Sequence, residues 1–164
     1  KTINFEIEEL NKNNVKFTTI GDLNILPSST TKGLRDGVDM TKDNDGLNLC
    51  LALNYGSRQE IIDAIKTAAI KVKEGEIKPD DINEQNFSDL LHTRDTPDPD
   101  LLIRTSGECR LSNFLLWQIA YTEIFMTDTY WPAFREEELM DAIFDFQSRE
   151  RRFGKVSEQV ANTI

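Results

Sequence analysis

Two guanidinium groups, Arg104 and Arg110, bracket the glycine-containing turn Thr105-Ser106-Gly107, with the hydroxyl of Ser112 close behind. A tight loop there can aim both forks at one point. Two planar forks, a hydroxyl and the free amides of a following helix start suit a diphosphate, because guanidinium groups grip phosphate oxygens in pairs. Each charge-assisted bond of this kind is worth about 1.5–3 kcal/mol when partly desolvated. The plainer alternative is that both arginines form surface ion pairs, which contribute little. Glu123 is the second candidate, since it falls in the otherwise apolar run Tyr121 to Met126, where a carboxylate needs a reason to be. It pairs with a buried cation, holds a metal, or faces water at a strand edge. Magnesium takes one or two protein carboxylates together with phosphates and water, which would match a diphosphate held by two arginines.

The elements that must position these groups can be read around them. Leu101-Leu102-Ile103 is a short apolar run that fits a buried parallel strand, and the charged turn follows it at once. Asn113 to Tyr121 is then expected as a helix, with hydroxyl and amide residues at its start. In open α/β sheets, anionic ligands sit at such strand-to-helix crossings. Upstream, Phe5, Ile7 and Leu10 suggest an exposed helix ended by Asn11-Lys12-Asn13-Asn14, and Val15 to Ile20 a strand closed by Gly21-Asp22. The hydroxyl run Ser28 to Thr31 can cap a helix reaching about Lys42, which Gly33 and Gly37 weaken. Leu47, Leu49, Leu51 and Leu53 alternate with smaller or polar residues, as in a strand with one apolar face. Ser57 and Glu60 have capping-box spacing, and Ile61, Ile65, Ala68 and Val72 repeat at helical intervals up to Gly75. Pro79-Asp80-Asp81 opens a further helix with Phe87, Leu90 and Leu91 buried. Thr122 to Met126 reads as a strand, and Arg135 to Arg152 as an amphipathic helix burying Leu139, Ile143 and Phe146. This alternation predicts an α/β fold, a mostly parallel sheet with helices on both faces.

Composition narrows the functions. The chain has 164 residues, the size of one ordinary domain, and 38% hydrophobic content, enough for a core. Nineteen basic against 29 acidic residues give a net charge of -10, which argues against nucleic acid as a partner. An anionic ligand must be held by a local arginine cluster against the sign of the whole. Cys50 and Cys109 lack metal or disulfide spacing and read as free thiols of a reducing, cytoplasmic compartment. No signal-peptide pattern opens the chain, and no apolar run reaches the roughly 18 residues of a membrane span. His92, the single histidine, reads as structural or solvent-facing, and Trp117 and Trp131 as core. Arg149, Arg151 and Arg152 form either a solvated helix end or a third anion contact.

Gly46-Leu47-Asn48-Leu49 through Asn54-Tyr55-Gly56-Ser57-Arg58, Asp100 to Ser112, Asn113 to Tyr121 with Glu123, Trp131-Pro132 and Glu150-Arg151-Arg152-Phe153-Gly154 together resemble the cis-prenyltransferases across essentially the whole chain. The bacterial members of that family are undecaprenyl diphosphate synthases. The resemblance implies that Arg104, Arg110, Leu111 and Ser112 bind isopentenyl diphosphate and that Glu123 ligates Mg2+. It also implies that Arg152 and Gly154 reach a neighbouring subunit's site in a homodimer. The implied reaction condenses isopentenyl diphosphate with farnesyl diphosphate to a cis-polyprenyl diphosphate, undecaprenyl diphosphate for the cell-wall lipid carrier. Transient contact with the inner membrane face on product release would follow. Cys109 stands where many relatives carry His. The family's Met-Asp-Gly-Asn-Gly-Arg-Trp element and the Asn and Arg segment of the allylic site are absent. The 164 residues are therefore expected to be the C-terminal part of one catalytic domain, without its catalytic Asp and inactive alone. The alternative is a noncatalytic partner subunit of a cis-prenyltransferase complex.

Overall fold

Asparagine ends the first helix, α1 (Thr2–Lys12), because the chain must turn left-handed there: Asn14 has φ 57°, a conformation its short amide side chain tolerates. The computed structural model describes residues 2–149, with side chains from residue 5 onward. They pack as two compact units, which divide between Thr96 and Pro97.

In the first unit, β1 (Lys16–Ile20) buries Phe17 and Ile20 and runs parallel to β2 (Asn48–Ala52), with Lys16 opposite Asn48 and Ile20 opposite Ala52. Gly21 closes β1 at φ 98°, and a Cβ there would lie 2.1 Å from the Leu53 carbonyl oxygen, so only glycine fits. Helix α2 (Ser28–Thr41) packs on β1 and α1. Its hydroxyls do not cap it. Pro27 holds the N-cap position without a side-chain bond, and Thr31 instead donates its hydroxyl to the Leu23 carbonyl at 3.0 Å. Gly37 costs helix propensity but admits close packing, because Ile7 of α1 sits where its Cβ would be, 2.4 Å from Ile7 Cδ1. Buried Thr41 accepts from the Phe17 amide at 3.0 Å and donates to the Gly37 carbonyl at 2.9 Å, tying α2 to β1.

The leucine face of β2 is not covered by the described residues: Leu47 is 72% exposed and Leu51 37%. Helix α3 (Ser57–Lys73) takes Gly56, not Ser57, as N-cap. Glu60 is buried, accepting from the Tyr55 hydroxyl and, at 2.8 Å, from the His92 backbone amide. The buried residues of α3 are Ser57, Glu60, Ala64 and Ala68; of the expected repeat Ala68 is buried, Ile61 and Val72 are partly covered and Ile65 stays half exposed. A 3-10 turn (Pro79–Asp81) and the short α4 (Glu84–Ser88), capped by Asn83, replace the single helix expected there. Of its predicted core residues, Leu91 is fully buried.

In the second unit, β3 (Leu101–Arg104) pairs parallel with β4 (Glu123–Met126), Leu101 opposite Glu123 and Arg104 opposite Met126. The helix expected from Asn113 to Tyr121 is absent. Ser112, Asn113 and Leu115 have φ of 52°, 61° and 45°, which a right-handed helix excludes, and the segment runs as successive turns that bury Gln118 and Ile119. Trp131 opens a 3-10 turn (Trp131–Ala133) and is exposed, not core, stacking on Phe134 at 6.1 Å. Helix α5 (Glu136–Ser148) packs on β4 through Ala142, while Leu139 of its expected face is exposed. Its start is favoured by Glu136, Glu137 and Glu138 against the positive end of the dipole, with Glu138 accepting from the Arg135 amide at 2.8 Å. The fold is α/β with parallel pairing in every described strand, in two-stranded pairs. No described helix is long and apolar enough to cross a membrane.

Candidate functional site

Leaving β3, the backbone turns left-handed at Ser106 and Gly107, φ 69° and 65°. Their amides donate to the carbonyls of Thr129, at 3.0 Å, and Thr127, at 2.9 Å, which pins the turn to the strand pair's carboxyl end. A side chain at 107 would meet Asp128 Oδ1 at 2.8 Å, so the turn lies tight against the segment after β4. The result is a pocket of about 430 Å³. Leu102, Ile124, Met126 and Phe114 line its apolar part, and Arg104, Cys109, Arg110, Leu111 and Ser112 the rest.

The two arginines are not equivalent. Arg104 is half-buried, and its Nε is shielded from solvent without a hydrogen-bond partner. A buried donor left in that state costs about 1–3 kcal/mol, and an incoming anion removes the cost. Arg110 is 71% exposed and already paired with Glu108 from the same turn, at 2.6 Å. Cys109, between them in sequence with Glu108, is an exposed free thiol. Arg104, Arg110, Leu111 and Ser112 are thus brought together as expected, but the helix-start amides that would have joined them are missing because residues 113–121 are not helical.

Glu123 is not among them. It stands at the first position of β4, three rungs from the Met126 that faces Arg104, about 10 Å at the usual rise of a strand. Ile124 and Met126 alternate toward the pocket, and Glu123 does not. Its carboxylate accepts from Arg149 Nη1 at 2.9 Å. The same guanidinium donates to the Ile124 carbonyl at 3.1 Å and meets Asp145 at 2.5 Å. The bond to Glu123 raises the Arg149 pKa above its ordinary value, with Asp145 adding to it against a smaller desolvation effect. Of the three possibilities open for Glu123, the structure contains the ion pair. Its partner was half-legible: Asp145 and Arg149 have helical i, i+4 spacing, whereas nothing local connects either to residue 123. Arg151, Arg152 and Gly154 lie outside the described residues. Among the described residues no three His, Cys, Asp or Glu side chains cluster as a metal site would require. His92 has the structural role expected, with its ring edge-on to Tyr55 at 6.4 Å.

A parallel strand pair ending in an arginine turn over a half-apolar pocket defines an α/β protein equipped for an anion with an apolar tail. Comparison with known proteins narrows this class. A family described as "Putative undecaprenyl diphosphate synthase" matches residues 1–154. The chain is 53% identical over 151 residues to an isoprenyl transferase of Clostridium perfringens, covering 92% of this chain and 60% of that protein. It is 51% identical over 156 residues to one of Porphyromonas gingivalis, covering 95% and 61%. A crystal structure of lavandulyl diphosphate synthase from Lavandula x intermedia, in complex with dimethylallyl diphosphate, superposes with a TM-score of 0.90 at 38% identity, over 93% of this chain and 66% of that one. A probable undecaprenyl diphosphate synthase from Campylobacter jejuni gives 0.80 at 37% identity, over 94% and 70%. The chain belongs to the undecaprenyl diphosphate synthase family of prenyltransferases. It spans about 60% of the length of the curated relatives it matches.

Proposed function

We propose that this protein is a cis-prenyltransferase that condenses isopentenyl diphosphate with an allylic diphosphate, farnesyl diphosphate, to give a cis-polyprenyl diphosphate, undecaprenyl diphosphate for the cell-wall lipid carrier. The observation that carries this is the buried, unpartnered Nε of Arg104 in a pocket shared with Arg110, Leu111 and Ser112. In this reading the diphosphate of isopentenyl diphosphate accepts from Arg104, Arg110 turns from Glu108 to a phosphate oxygen, and the Ser112 hydroxyl donates to another. Leu102, Ile124 and Met126 offer apolar contact to the five-carbon tail. The double bond of isopentenyl diphosphate attacks C1 of the allylic substrate, inorganic diphosphate leaves with its bonding pair, and a proton is lost to form the new cis double bond. The arginines act by neutralising charge already in place when that leaving group develops. The name isoprenyl transferase, borne by relatives at about half identity, does not favour the noncatalytic-subunit alternative.

Magnesium, when bound, would neutralise diphosphate charge, and Glu123 is the carboxylate the resemblance assigns to it. As the side chains stand they do not fit a metal. Glu123 is bonded to Arg149, it stands away from the pocket lining, and the described residues around it form no ligand cluster. No step of the reaction is therefore drawn through the ion. A homodimer is proposed with the family, supported by the exposed Leu139, Met140 and Phe144 on α5. Free thiols at Cys50 and Cys109 support a cytoplasmic site of action, and an apolar product supports transient contact with the inner membrane face.

The test is incorporation of labelled isopentenyl diphosphate by the full-length protein with farnesyl diphosphate and magnesium. Arg104→Ala is expected to abolish long-chain product while leaving the fold intact by circular dichroism. Normal turnover by that variant refutes the assignment.

A further inference from the structure

The apolar wall of the pocket is held from its far edge. Backbone groups of alternate strand residues turn to opposite edges, and the amides of Glu123 and Thr127 donate to the carbonyls of Asp100 and Arg104, on the β3 side. The Ile124 carbonyl therefore points away from β3, to an edge of β4 that no other described strand covers. Arg149, which ends α5, caps it. Its Nη1 donates to that carbonyl at 3.1 Å and to the Glu123 carboxylate at 2.9 Å, while Nη2 meets Asp145, one turn back on α5, at 2.5 Å. One planar fork is thus fixed at three points. The side chains of Glu123 and Arg149 are only 27% and 33% exposed, so water screens the pair less than it does a surface ion pair. In register, Ile124 lies opposite Leu102 and Met126 opposite Arg104, and all four line the pocket. The backbone that the guanidinium fixes is the backbone that carries Ile124 to the ligand.

We propose that Arg149 is a positioning residue for the pocket: it clamps β4 at Glu123 and Ile124 to the end of α5, and so sets the wall of Ile124 and Met126 against Arg104. The grip on the diphosphate comes from β3 and the turn after it, which supply Arg104, Arg110 and Ser112. The inference rests on the reading of this pocket as the seat of isopentenyl diphosphate, and separates what holds the tail from what holds the charge. A loosened wall costs a ligand its apolar contact and spares its charge-assisted bonds. An arginine that only stabilised the fold would, when lost, affect both alike or neither.

The experiment is calorimetric titration of the full-length protein, without allylic substrate, with isopentenyl diphosphate and separately with inorganic diphosphate, which has no tail. Arg104→Ala should weaken both ligands, marking the site. Ile124→Ala, which removes part of the wall itself, should cost isopentenyl diphosphate about tenfold and inorganic diphosphate less than about twofold, as a lost apolar contact does. Arg149→Ala should repeat that selectivity at about fivefold, and Arg149→Lys and Asp145→Asn at about twofold, because each milder change keeps part of the three-point contact. In the Ile124→Ala background, Arg149→Ala should add less than about twofold, since both changes act on one wall. Equal losses of the two ligands in the Arg149 and Asp145 variants, no loss, or full additivity with Ile124→Ala overturns the positioning role, while the Arg104→Ala result keeps the pocket as the ligand's seat. Binding of both ligands indifferent to Arg104→Ala overturns the reading of the pocket, and the positioning role with it.

Discussion

The unequal states of the two arginines make a quantitative forecast for substrate binding. Arg104 presents a buried donor with no partner, so a diphosphate oxygen both forms a charge-assisted bond and relieves an existing desolvation cost. Its removal should cost about 2–3 kcal/mol, roughly 30- to 150-fold in Kd. Arg110 is 71% exposed and must give up Glu108 at 2.6 Å before it can serve a ligand. Exchanging one exposed ion pair for another gains about 1 kcal/mol at most, about fivefold in Kd. Calorimetric titration of isopentenyl diphosphate into the full-length protein, without allylic substrate, should therefore rank Arg104→Ala far below Arg110→Ala. Arg104→Lys should recover only part of the loss, because a point charge does not replace the fork. Glu108→Gln should tighten binding slightly by freeing Arg110. Equal losses for the two alanine variants, or a larger one for Arg110→Ala, would show that the burial of Arg104 does not govern the site.

Two further predictions concern the frame of the first unit. Glu60→Ala should lower stability by about 2 kcal/mol in urea unfolding, since it removes the buried carboxylate to which the Tyr55 hydroxyl and the His92 amide donate. Glu60→Gln, which keeps an acceptor of the same shape, should cost about 1 kcal/mol, and a loss below that for the alanine variant would deny the carboxylate its structural part. Gly21→Ala should cost about 2 kcal/mol or more, because it places a Cβ 2.1 Å from the Leu53 carbonyl at a φ of 98°. A melting temperature equal to wild type would contradict that contact.

Most element positions were legible because their signals are local. The expected strand over 15–20 is observed as Lys16–Ile20, the helix from Ser28 ends at Thr41 rather than about Lys42, and the helix from Ser57 ends at Lys73. Periodicity says that a face is apolar without saying what covers it: the alternation at Leu47 to Leu53 located the strand, and its leucine face is left partly exposed by the described residues. In α3 the same limit appears as a rotation. Isoleucines gave the stronger pattern, but the buried positions are Ser57, Glu60, Ala64 and Ala68, of which the expected repeat held only Ala68. The segment after Ser112 failed differently. Its apolar spacing is helical, yet left-handed backbone at Ser112, Asn113 and Leu115 forbids the helix, and only Asn113 among these carries a residue that signals it.

The site divides along the same line. Arg104, Arg110, Leu111 and Ser112 come from one strand and the turn after it, so chain continuity alone keeps them close, and the sequence could name the group. Glu123 reaches its partner across the fold, and there the residues showed a need without an answer: a carboxylate in an apolar strand requires a cation, and the sequence could not tell Arg149 from a metal. The structure supplies the arginine, and with it the reason the choice is chemical rather than descriptive. Glu123, only 27% exposed at its side chain, has in Arg149 a cation at 2.9 Å that offsets the cost of holding a carboxylate away from water. Arg149 meets that need from within the chain, through a contact 26 residues away that no local spacing in the sequence announces.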